Sequence, residues 1–305
     1  MPTSRIRIFL VYALVCLIWG TTWLAIRTSL ESFTPFLSAG LRFTTASLFI
    51  FFFLKIIKIQ IQIDKRSIQL YIFMDLFSYA IPYGLVYWAE QFIPSGLASV
   101  LFAIEPFFVV LFSYYYISSE KIGFFKFSGI ILGFLGILII YSDTLNLNYT
   151  SYTLGISAIV LSACFQAINA VILKKYGGHL HPVGMNLFPM LFAGVTLSGL
   201  GYFLEDIGKM KFDLSGISSV LYLAIFGSII TFTSFYWLLK RINVVSLSLI
   251  SFITPIIALF VGWLFYNEQL TSNELVGSVL VLFGLLWASS ENIIKLSKQK
   301  KKLTI

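Results

Sequence analysis

Ten long apolar runs, separated by short polar breaks, make up most of the chain. A helix that crosses the hydrocarbon core of a bilayer needs about 20 mostly apolar residues, and each run approaches that length. The runs lie near residues 6–26, 36–56, 68–90, 94–117, 124–142, 153–173, 183–204, 216–239, 244–265 and 273–292. None of the breaks is long enough to hold a soluble domain. The pattern therefore predicts an all-α membrane protein with ten transmembrane helices.

The basic residues are distributed unevenly between the two sides of this predicted bundle. Ten spans place both termini on the same side, which we assign to the cytoplasm. Of the 21 basic residues, only Arg27, Lys209 and Lys211 then fall in outer segments, while Arg42 falls within a span. Cytoplasmic loops of membrane proteins carry an excess of Lys and Arg. The bias predicts a multi-pass protein of the cell membrane, in bacteria the inner membrane, with both termini cytoplasmic.

One long segment of the chain occurs twice. Tyr87–Gly136 matches Tyr236–Gly284, and the matched positions include a proline in the middle of an apolar run, Pro106 in the first copy and Pro255 in the second. Proline removes a helical hydrogen bond and kinks or breaks a helix. We therefore expect two proline-broken helices at equivalent positions, and we expect them to frame a substrate pathway.

The repeat divides the chain into two halves of five spans. Residues 1–148 hold spans 1–5, and residues 149–305 hold spans 6–10 with a short basic cytoplasmic tail. Because five is odd, the second half must be inverted relative to the first. Glu120 and its counterpart Glu268 then lie on opposite sides, and we interpret both as capping or loop-ordering groups. Inverted repeats with interrupted helices are typical of secondary transporters, whose substrates bind near the midplane between the repeats.

Several short motifs resemble those of the EamA-like permeases of the drug/metabolite transporter superfamily. They are Trp19-Gly20 with Trp23, Pro35, Leu41-Arg42-Phe43, Gly96–Ser99, Pro106, Ser119-Glu120, and the glycines from Gly129 to Gly136. Their order and spacing, which the second half repeats in part, carry the resemblance. It implies a bundle of two inverted five-helix repeats that commonly exports amino acids or other small metabolites. It also implies that the glycine-rich helices support packing or a homodimer.

Composition agrees with a membrane protein and excludes other classes. The chain is 58% hydrophobic and 11% charged, whereas soluble domains are about 25% charged. The net charge of +8 follows the membrane topology, so we predict no nucleic-acid partner. The two cysteines lie inside apolar runs and indicate no metal site. No phosphate-binding loop, nucleophile motif or zinc pattern is present. We therefore predict no cofactor, no metal and no enzymatic activity.

Glu105 is the first candidate for chemistry within a span. It lies in the middle of span four, directly before Pro106, which frees an upstream carbonyl. Ionisable groups within a membrane are costly and usually functional. Glu105 is a candidate for binding a cationic group or carrying a proton, although a neutral, hydrogen-bonded structural carboxyl is an equal alternative. The matching position of the second half is Thr254, so the two halves differ here.

Span three carries a polar and aromatic stripe. Asp75, Tyr79, Tyr83, Tyr87 and Glu90 fall within about 120° of one face of a regular helix, and a polar stripe in lipid is expected to face the pathway. Pro82 is expected to bend the helix. Asp75 and Glu90 lie toward opposite ends and are candidates for coupling or gating, or for pairing at the pathway mouths. Tyrosines near helix ends are alternatively an interfacial belt.

Arg42 and two tryptophans extend the predicted site. Arg42 lies one or two turns inside span two, where it can bind a carboxylate or act in gating, or snorkel to the outer headgroups. Trp19 and Trp23 are four residues apart and share a helix face. The family resemblance implies that both line the pathway, while plain packing is the alternative.

The remaining pathway candidates are polar or aromatic residues of other spans: Ser99, Gln166, Asn169, Ser228, Thr231, Trp237, Ser251 and Thr254. Interhelical hydrogen bonding is the alternative role for those of span six. Taken together, the sequence predicts a secondary permease that exports amino acids or similar small metabolites by alternating access. A multidrug or cation exporter, or a membrane-embedded sensor or enzyme that uses the same cavity, is the alternative.

Overall fold

The computed structural model describes residues 5–116, 123–145, 150–239, 241 and 250–303, and throughout these ranges every regular element is helical. The α-helices are α1 (Arg5–Ser29), α2 (Pro35–Ile57), α3 (Lys65–Met74), α4 (Ile81–Ala89), α5 (Ser95–Phe102), α6 (Glu105–Tyr116), α7 (Phe124–Leu145), α8 (Thr150–Tyr176), α9 (Leu187–Leu204), α10 (Leu214–Ala224), α11 (Thr231–Leu239), α12 (Ile250–Tyr266) and α13 (Ser272–Leu303). The predicted all-α fold is confirmed for these residues.

Seven helical segments of the described chain are long and apolar enough to cross a membrane. They are Ile6–Ser29, Pro35–Ile57, Lys65–Ala89, Ser95–Tyr116, Thr150–Tyr176, Gly184–Leu204 and Leu214–Phe235. Three shorter apolar helices, Phe124–Ile140, Ile250–Tyr266 and Ser272–Ala288, coincide with the other predicted spans. The count of ten spans stays a prediction, because the predicted ninth span begins at residue 244, outside the described residues.

Carboxylates fix the beginnings of several helices. Asp213 precedes α10 and accepts a hydrogen bond from Gly216 N at 2.8 Å, and Ser32 Oγ donates to the same carboxylate at 2.8 Å. These bonds hold the pKa of Asp213 below its ordinary value, chiefly through the Gly216 N–H. Asp64 caps α3 in the same way. Such side chains satisfy N–H groups that a helix start leaves without partners.

Two further carboxylates cap helices that are distant in sequence. Glu205 accepts bonds from the first amides of α2, Phe36 N at 2.9 Å and Leu37 N at 3.2 Å. Glu268 accepts bonds from the first amides of α5, Ser95 N at 2.8 Å and Gly96 N at 3.0 Å. The capping role predicted for Glu268 is confirmed, while Glu120, its counterpart, lies outside the described residues.

A π-helix interrupts one span in each half. The first covers Asp75–Ala80 between α3 and α4, and the second covers Ile225–Ile230 between α10 and α11. Pro82 is the second residue of α4, directly after the first π-helix, and the bend predicted there stays a prediction. The matching residue after the second is Thr231, so a proline is not needed for the π-helix. Wider π turns leave backbone carbonyls for other donors, and they occur frequently at functional sites.

The two prolines of the sequence repeat have different effects. α5 ends at Phe102, and α6 starts at Glu105 with Pro106 as its second residue, so the first copy is broken as predicted. Proline is tolerated there because the first turn of a helix lacks N–H partners. α12 instead runs unbroken through Pro255. The predicted break in the second copy is wrong for the described residues, and Pro255 only deprives the Ser251 carbonyl of its helical partner.

Glycines bring α7 and α13 into close antiparallel contact. A Cβ on Gly129 would lie 2.6 Å from Gly284 O, and a Cβ on Gly136 would lie 2.6 Å from Gly277 O. Side chains at these positions would therefore collide with backbone atoms of the other helix. α2 and α9 approach each other similarly. The α1 helix packs on α12, whereas α5 and α6 pack on α8. Small residues at such interfaces are typical of membrane helices.

Candidate functional site

Arg42 lies at the centre of the site and connects the two halves of the chain. Its side chain is 1% exposed. Its Nε donates to Ser228 Oγ at 3.0 Å, and its Nη2 donates to Gly227 O at 3.3 Å. Both acceptors belong to the second π-helix. The alternative in which Arg42 reaches the headgroups is wrong, because its guanidinium is enclosed by protein.

Aromatic rings surround the same guanidinium. Its carbon lies 4.7 Å from the centroid of Tyr83 and 5.1 Å from that of Phe43. Nη1 lies 3.5 Å from Tyr87 OH, a long hydrogen bond. Cation–π contacts of this kind stabilise a buried cation in the absence of a carboxylate. Among the described residues, no carboxylate is hydrogen-bonded to Arg42.

A chain of edge-to-face aromatic contacts extends from Arg42 to α1. Phe43 packs against Tyr79 with centroids 5.3 Å apart, Tyr79 against Phe232 at 5.7 Å, and Phe232 against Trp19 at 5.7 Å. Tyr79 is fully buried, and its hydroxyl donates to Asn186 Oδ1 at 2.6 Å. These contacts place residues from α1, α2, α4, α11 and the first π-helix in one cluster.

The stripe predicted on span three is brought together in part. Tyr79, Tyr83 and Tyr87 all face Arg42 or Phe43. Glu90 continues the row: it is 0% exposed and interacts electrostatically with Arg42 and Tyr87. Asp75 makes no hydrogen bond to the row among the described residues. It is half-buried, with Oδ1 covered and without a hydrogen-bond partner. The π-helix that begins at Asp75 changes the helical register on which the regular-helix prediction depended.

Glu105 lies next to the aromatic cluster, at the break between α5 and α6. Its side chain is half-buried and close enough to Tyr83 for the two groups to interact electrostatically. No hydrogen bond to its carboxylate is found among the described residues. Trp23 packs on Phe102, the last residue of α5, with centroids 5.5 Å apart. The helix break thus holds a carboxylate and an aromatic pair beside the cluster.

The polar face of α8 serves mainly to hold the first π-helix. Gln166 Nε2 donates to Ser78 O at 2.8 Å, and Gln166 Oε1 accepts from Ser78 Oγ at 3.2 Å. Ser162 Oγ donates to Pro82 O at 3.0 Å. These bonds occupy the polar atoms of Gln166, which favours the interhelical role. Asn169 is buried, and its Oδ1 has no partner.

The candidates of the second half are scattered. Ser228 binds Arg42, and its hydroxyl also donates to Leu223 O at 3.0 Å. Thr231 is fully buried and donates to Phe226 O. Trp237 instead lies at the end of α11, where Arg241 stacks on its ring at 4.0 Å. Trp237 also packs on the small core of Val15, Cys16, Leu238 and Ile250, as Trp19 does.

The serines and threonine of spans four and nine form no hydrogen bond to the cluster among the described residues. Ser99 is buried and donates to Gly96 O within its own helix. Ser251 is half-buried and Thr254 buried, both in α12. Pathway roles for these three residues stay predictions. Ser248, the repeat counterpart of Ser99, lies outside the described residues.

The structure adds three residues that sequence reasoning did not select as site residues: Phe43, Asn186 and Phe232. Phe43 follows Arg42 in the quoted motif and was available as a signal. Phe232 follows Thr231, a repeat counterpart of Pro82. Asn186 lies in a short 3₁₀ turn before α9, and nothing in the sequence pairs it with Tyr79.

Two surface clefts lie away from this cluster. One of about 400 Å³ is lined by residues of the loop after α2, including Lys58 and Gln60, together with Phe188. The other, of about 350 Å³, lies between Arg66 and Tyr176. Neither contains a predicted pathway residue.

Comparison with known proteins identifies the family. The model of the EamA-like transporter family matches residues 6–142 and 153–290, once in each half. The chain belongs to the EamA-like transporter family. It is therefore a multi-pass membrane protein of a transporter family, and the family points to transport of a small-molecule solute rather than to enzymatic activity.

Relatives of this EamA protein include proteins that are named transporters. The chain is 28% identical to the uncharacterized transporter YoaV of Bacillus subtilis over 92% of this chain and 96% of the relative. It is 26% identical to protein PagO of Salmonella typhimurium over 92% of each chain. It is 29% identical to the uncharacterized inner membrane transporter YedA of Escherichia coli over 88% and 86%. A crystal structure of an 18% identical chain superposes with a TM-score of 0.67 over 93% of this chain and 98% of the other, which shows the fold.

Proposed function

We propose that this EamA protein is a secondary transporter that exports amino acids or similar small metabolites by alternating access. Membership of a transporter family supports transport. The observation that supports the finer mechanism is the junction between halves at Arg42, a residue of the first half whose guanidinium binds the second π-helix. A solute site between the halves is where inverted-repeat transporters bind substrate.

We further propose ten spans in two inverted units, residues 1–148 and 149–305. The pairs Gly129–Gly284 and Gly136–Gly277 support this division. In the sequence repeat Gly129 corresponds to Gly277 and Gly136 to Gly284. Exchange of the halves therefore converts one pair into the other, as a two-fold axis in the membrane plane requires. The contact of α1 with α12 and that of α8 with α5 and α6 exchange in the same way.

The two π-helices are the elements that we expect to move. Each is held by a side chain from the other half: Gln166 binds Ser78 of the first, and Arg42 binds Gly227 and Ser228 of the second. A π turn exchanges hydrogen bonds with side chains more easily than a regular helix, since its carbonyls are not all engaged. Motion of one half against the other therefore changes the Gln166 and Arg42 hydrogen bonds together.

The chemistry around the cluster favours a zwitterionic solute. Arg42 provides a buried positive charge that attracts a carboxylate, Glu105 offers an anion for an ammonium group, and the partly exposed rings of Trp19 and Tyr83 offer apolar surface. A multidrug or cation exporter is favoured only by Glu105 and the rings. The buried charge of Arg42 opposes a purely cationic solute. Both termini are proposed to be cytoplasmic on the basis of the Lys and Arg bias.

The homodimer stays a prediction. The glycine faces that suggested it are engaged inside one chain, between α7 and α13. Those faces are therefore not free to pair with a second copy.

A flux assay tests the proposal. The purified protein is reconstituted into liposomes, and uptake of labelled amino acids, organic cations and neutral metabolites is measured with and without a pH gradient. We expect saturable uptake of at least one amino acid, reduced at least tenfold in Arg42→Gln. A chain that moves none of these solutes under any gradient contradicts the proposal. Uptake limited to organic cations supports the alternative exporter.

A further inference from the structure

A second buried ionisable group lies at the end of α4, beyond the residues that touch Arg42. Glu90 caps this helix, and its backbone N–H donates to Val86 O at 3.0 Å. Its side chain is 0% exposed, and neither Oε1 nor Oε2 has a hydrogen-bond partner in the structure. A buried carboxylate anion without partners is very costly, so such a group holds a proton or binds a cation.

The charged groups around Glu90 come from several elements. Arg27 of α1 is near, but its Nη1 donates to the backbone carbonyl of Glu90 rather than to the carboxylate. Arg42 of α2 and Tyr87 of α4 interact with Glu90 at longer range. Glu268, which follows α12, presents a second negative charge. From α8, the uncharged Gly155 packs nearby on Ala89 and Ile93.

Glu268 cannot coordinate a cation at Glu90 without giving up its capping of α5. Both of its oxygens are occupied by Ser95 N and Gly96 N at the start of α5. One more unpartnered atom adjoins it, the buried Ser95 Oγ. A metal cation needs several oxygen ligands, whereas a proton needs one. The free oxygens at this place therefore fit a proton better than a metal ion.

We propose that Glu90 is an exchangeable proton site, paired with Glu268 of the second half, at the predicted outer end of the bundle. This site is distinct from Glu105, which we place on the solute pathway. Like charges repel, so the negative charge of Glu268 disfavours a second negative charge on the buried Glu90. Here Glu268 is stabilised as an anion by the amides of α5, so Glu90 is the member that takes up the proton.

The proton has a structural consequence. Glu268 joins the two halves by capping α5, the helix that leads to the break at Glu105. Ionisation of Glu90 introduces a repelling charge beside that cap and weakens it, while protonation restores it. Coupling of this proton to solute export rests on the proposed function, since it assumes that the outer contact opens during transport. The proton site itself does not depend on that assumption.

Infrared difference spectroscopy of the protein in liposomes tests the site without any solute. We expect one component of the C=O absorption of buried carboxylic acids in wild type to be lost as pH rises and to be missing from Glu90→Gln, and this component is the band referred to below. Glu31→Gln, which removes an exposed carboxylate of the same predicted side, keeps the band. A band that persists unchanged in Glu90→Gln overturns the proposal. So does a band lost at fixed pH only when sodium replaces N-methylglucamine, which identifies a metal site.

A second variant, Glu268→Gln, keeps the proposal testable if Glu90→Gln does not fold. In Glu268→Gln the neighbouring charge is removed, so the band should disappear at lower pH than in wild type. An unchanged titration contradicts the pairing. Hydrogen exchange at Ser95 and Gly96, corrected for the intrinsic pH dependence, should lose protection as the wild-type band disappears and stay protected in Glu90→Gln. If the band behaves as expected but no solute is transported, the proton site stands and the proposed function fails.

Discussion

Buried charges in this protein are stabilised in two different ways. The guanidinium of Arg42 is distributed over a hydroxyl, a carbonyl and the faces of Tyr83 and Phe43. Arginine is effectively always protonated, so it must be solvated by such groups. Glu90 has no comparable partners, and a carboxyl can instead become neutral. A buried arginine therefore keeps its charge and needs hydrogen-bond partners, whereas a buried carboxyl can bind a proton instead.

Asp213 provides a pH-dependent prediction at the surface. Its pKa is lowered from 3.8, first by the Gly216 N–H and then by the Ser32 hydroxyl. A lowered folded-state pKa stabilises the protein above the unfolded value and stops doing so as pH falls through the folded one. Asp213→Ala should therefore lower the melting temperature at neutral pH, with the difference from wild type shrinking below pH 3.8.

Asp206→Ala is the control, since it removes an exposed carboxylate of the neighbouring loop that forms an exposed pair with Lys209. Pairs of that kind contribute little to stability. A melting difference for Asp213→Ala that stays constant into acid would show that its charge does not matter.

Single positions were predictable from the sequence only where a spacing rule applied. The tyrosines at 79, 83 and 87 share a helix face and meet Arg42 and Phe43. Asp75 obeys the same rule, yet it begins a π-helix, whose register differs from the regular helix on which the rule depends. The hydrogen bond from Tyr79 to Asn186 spans 107 residues, and only tertiary structure creates it.

At the scale of elements, helix interruptions are the features on which the site depends. The break before Glu105 was predictable from Pro106. The second π-helix has no proline and no local sequence signal, and only its counterpart in the other half indicates it. Pro255 shows that a proline does not always break a helix, since α12 continues through it. A proline therefore indicates where a helix loses a bond, while the surrounding packing decides whether the helix breaks.

Glycine substitutions test the packing of α7 on α13. Gly136→Ala would place a methyl group 2.6 Å from Gly277 O and 2.9 Å from Val281 N. Overpacking against backbone typically costs about 1–3 kcal/mol, so we expect a melting temperature several degrees lower. Gly199→Ala is the matched control, because no atom lies within 4 Å of its Cβ position. Alanine favours helix over glycine by about 1 kcal/mol, so this control should be neutral or stabilising. Equal effects of both variants would contradict the close packing.

At the scale of the whole molecule, hydropathy predicted the helices well because each must satisfy its backbone within the bilayer. Seven of the ten predicted spans are matched by long apolar helices, and the other three by shorter ones. What hydropathy could not provide is the pairing of spans across the halves. That pairing arises from close glycine contacts, from carboxylates that cap distant helices, and from the side chains that bind the two π-helices.

Alternating access makes one measurement decisive, counterflow in proteoliposomes that contain only this protein. Vesicles are loaded with an unlabelled amino acid, diluted, and given a trace of the labelled one. A carrier that brings unlabelled solute out can return with labelled solute bound, and this exchange is faster than the loss of the unlabelled gradient. Labelled solute should therefore accumulate transiently above its external concentration and then decline. Arg42→Gln should abolish this overshoot. Uptake that rises only to equilibrium, whatever the vesicles contain, would contradict transport by alternating access.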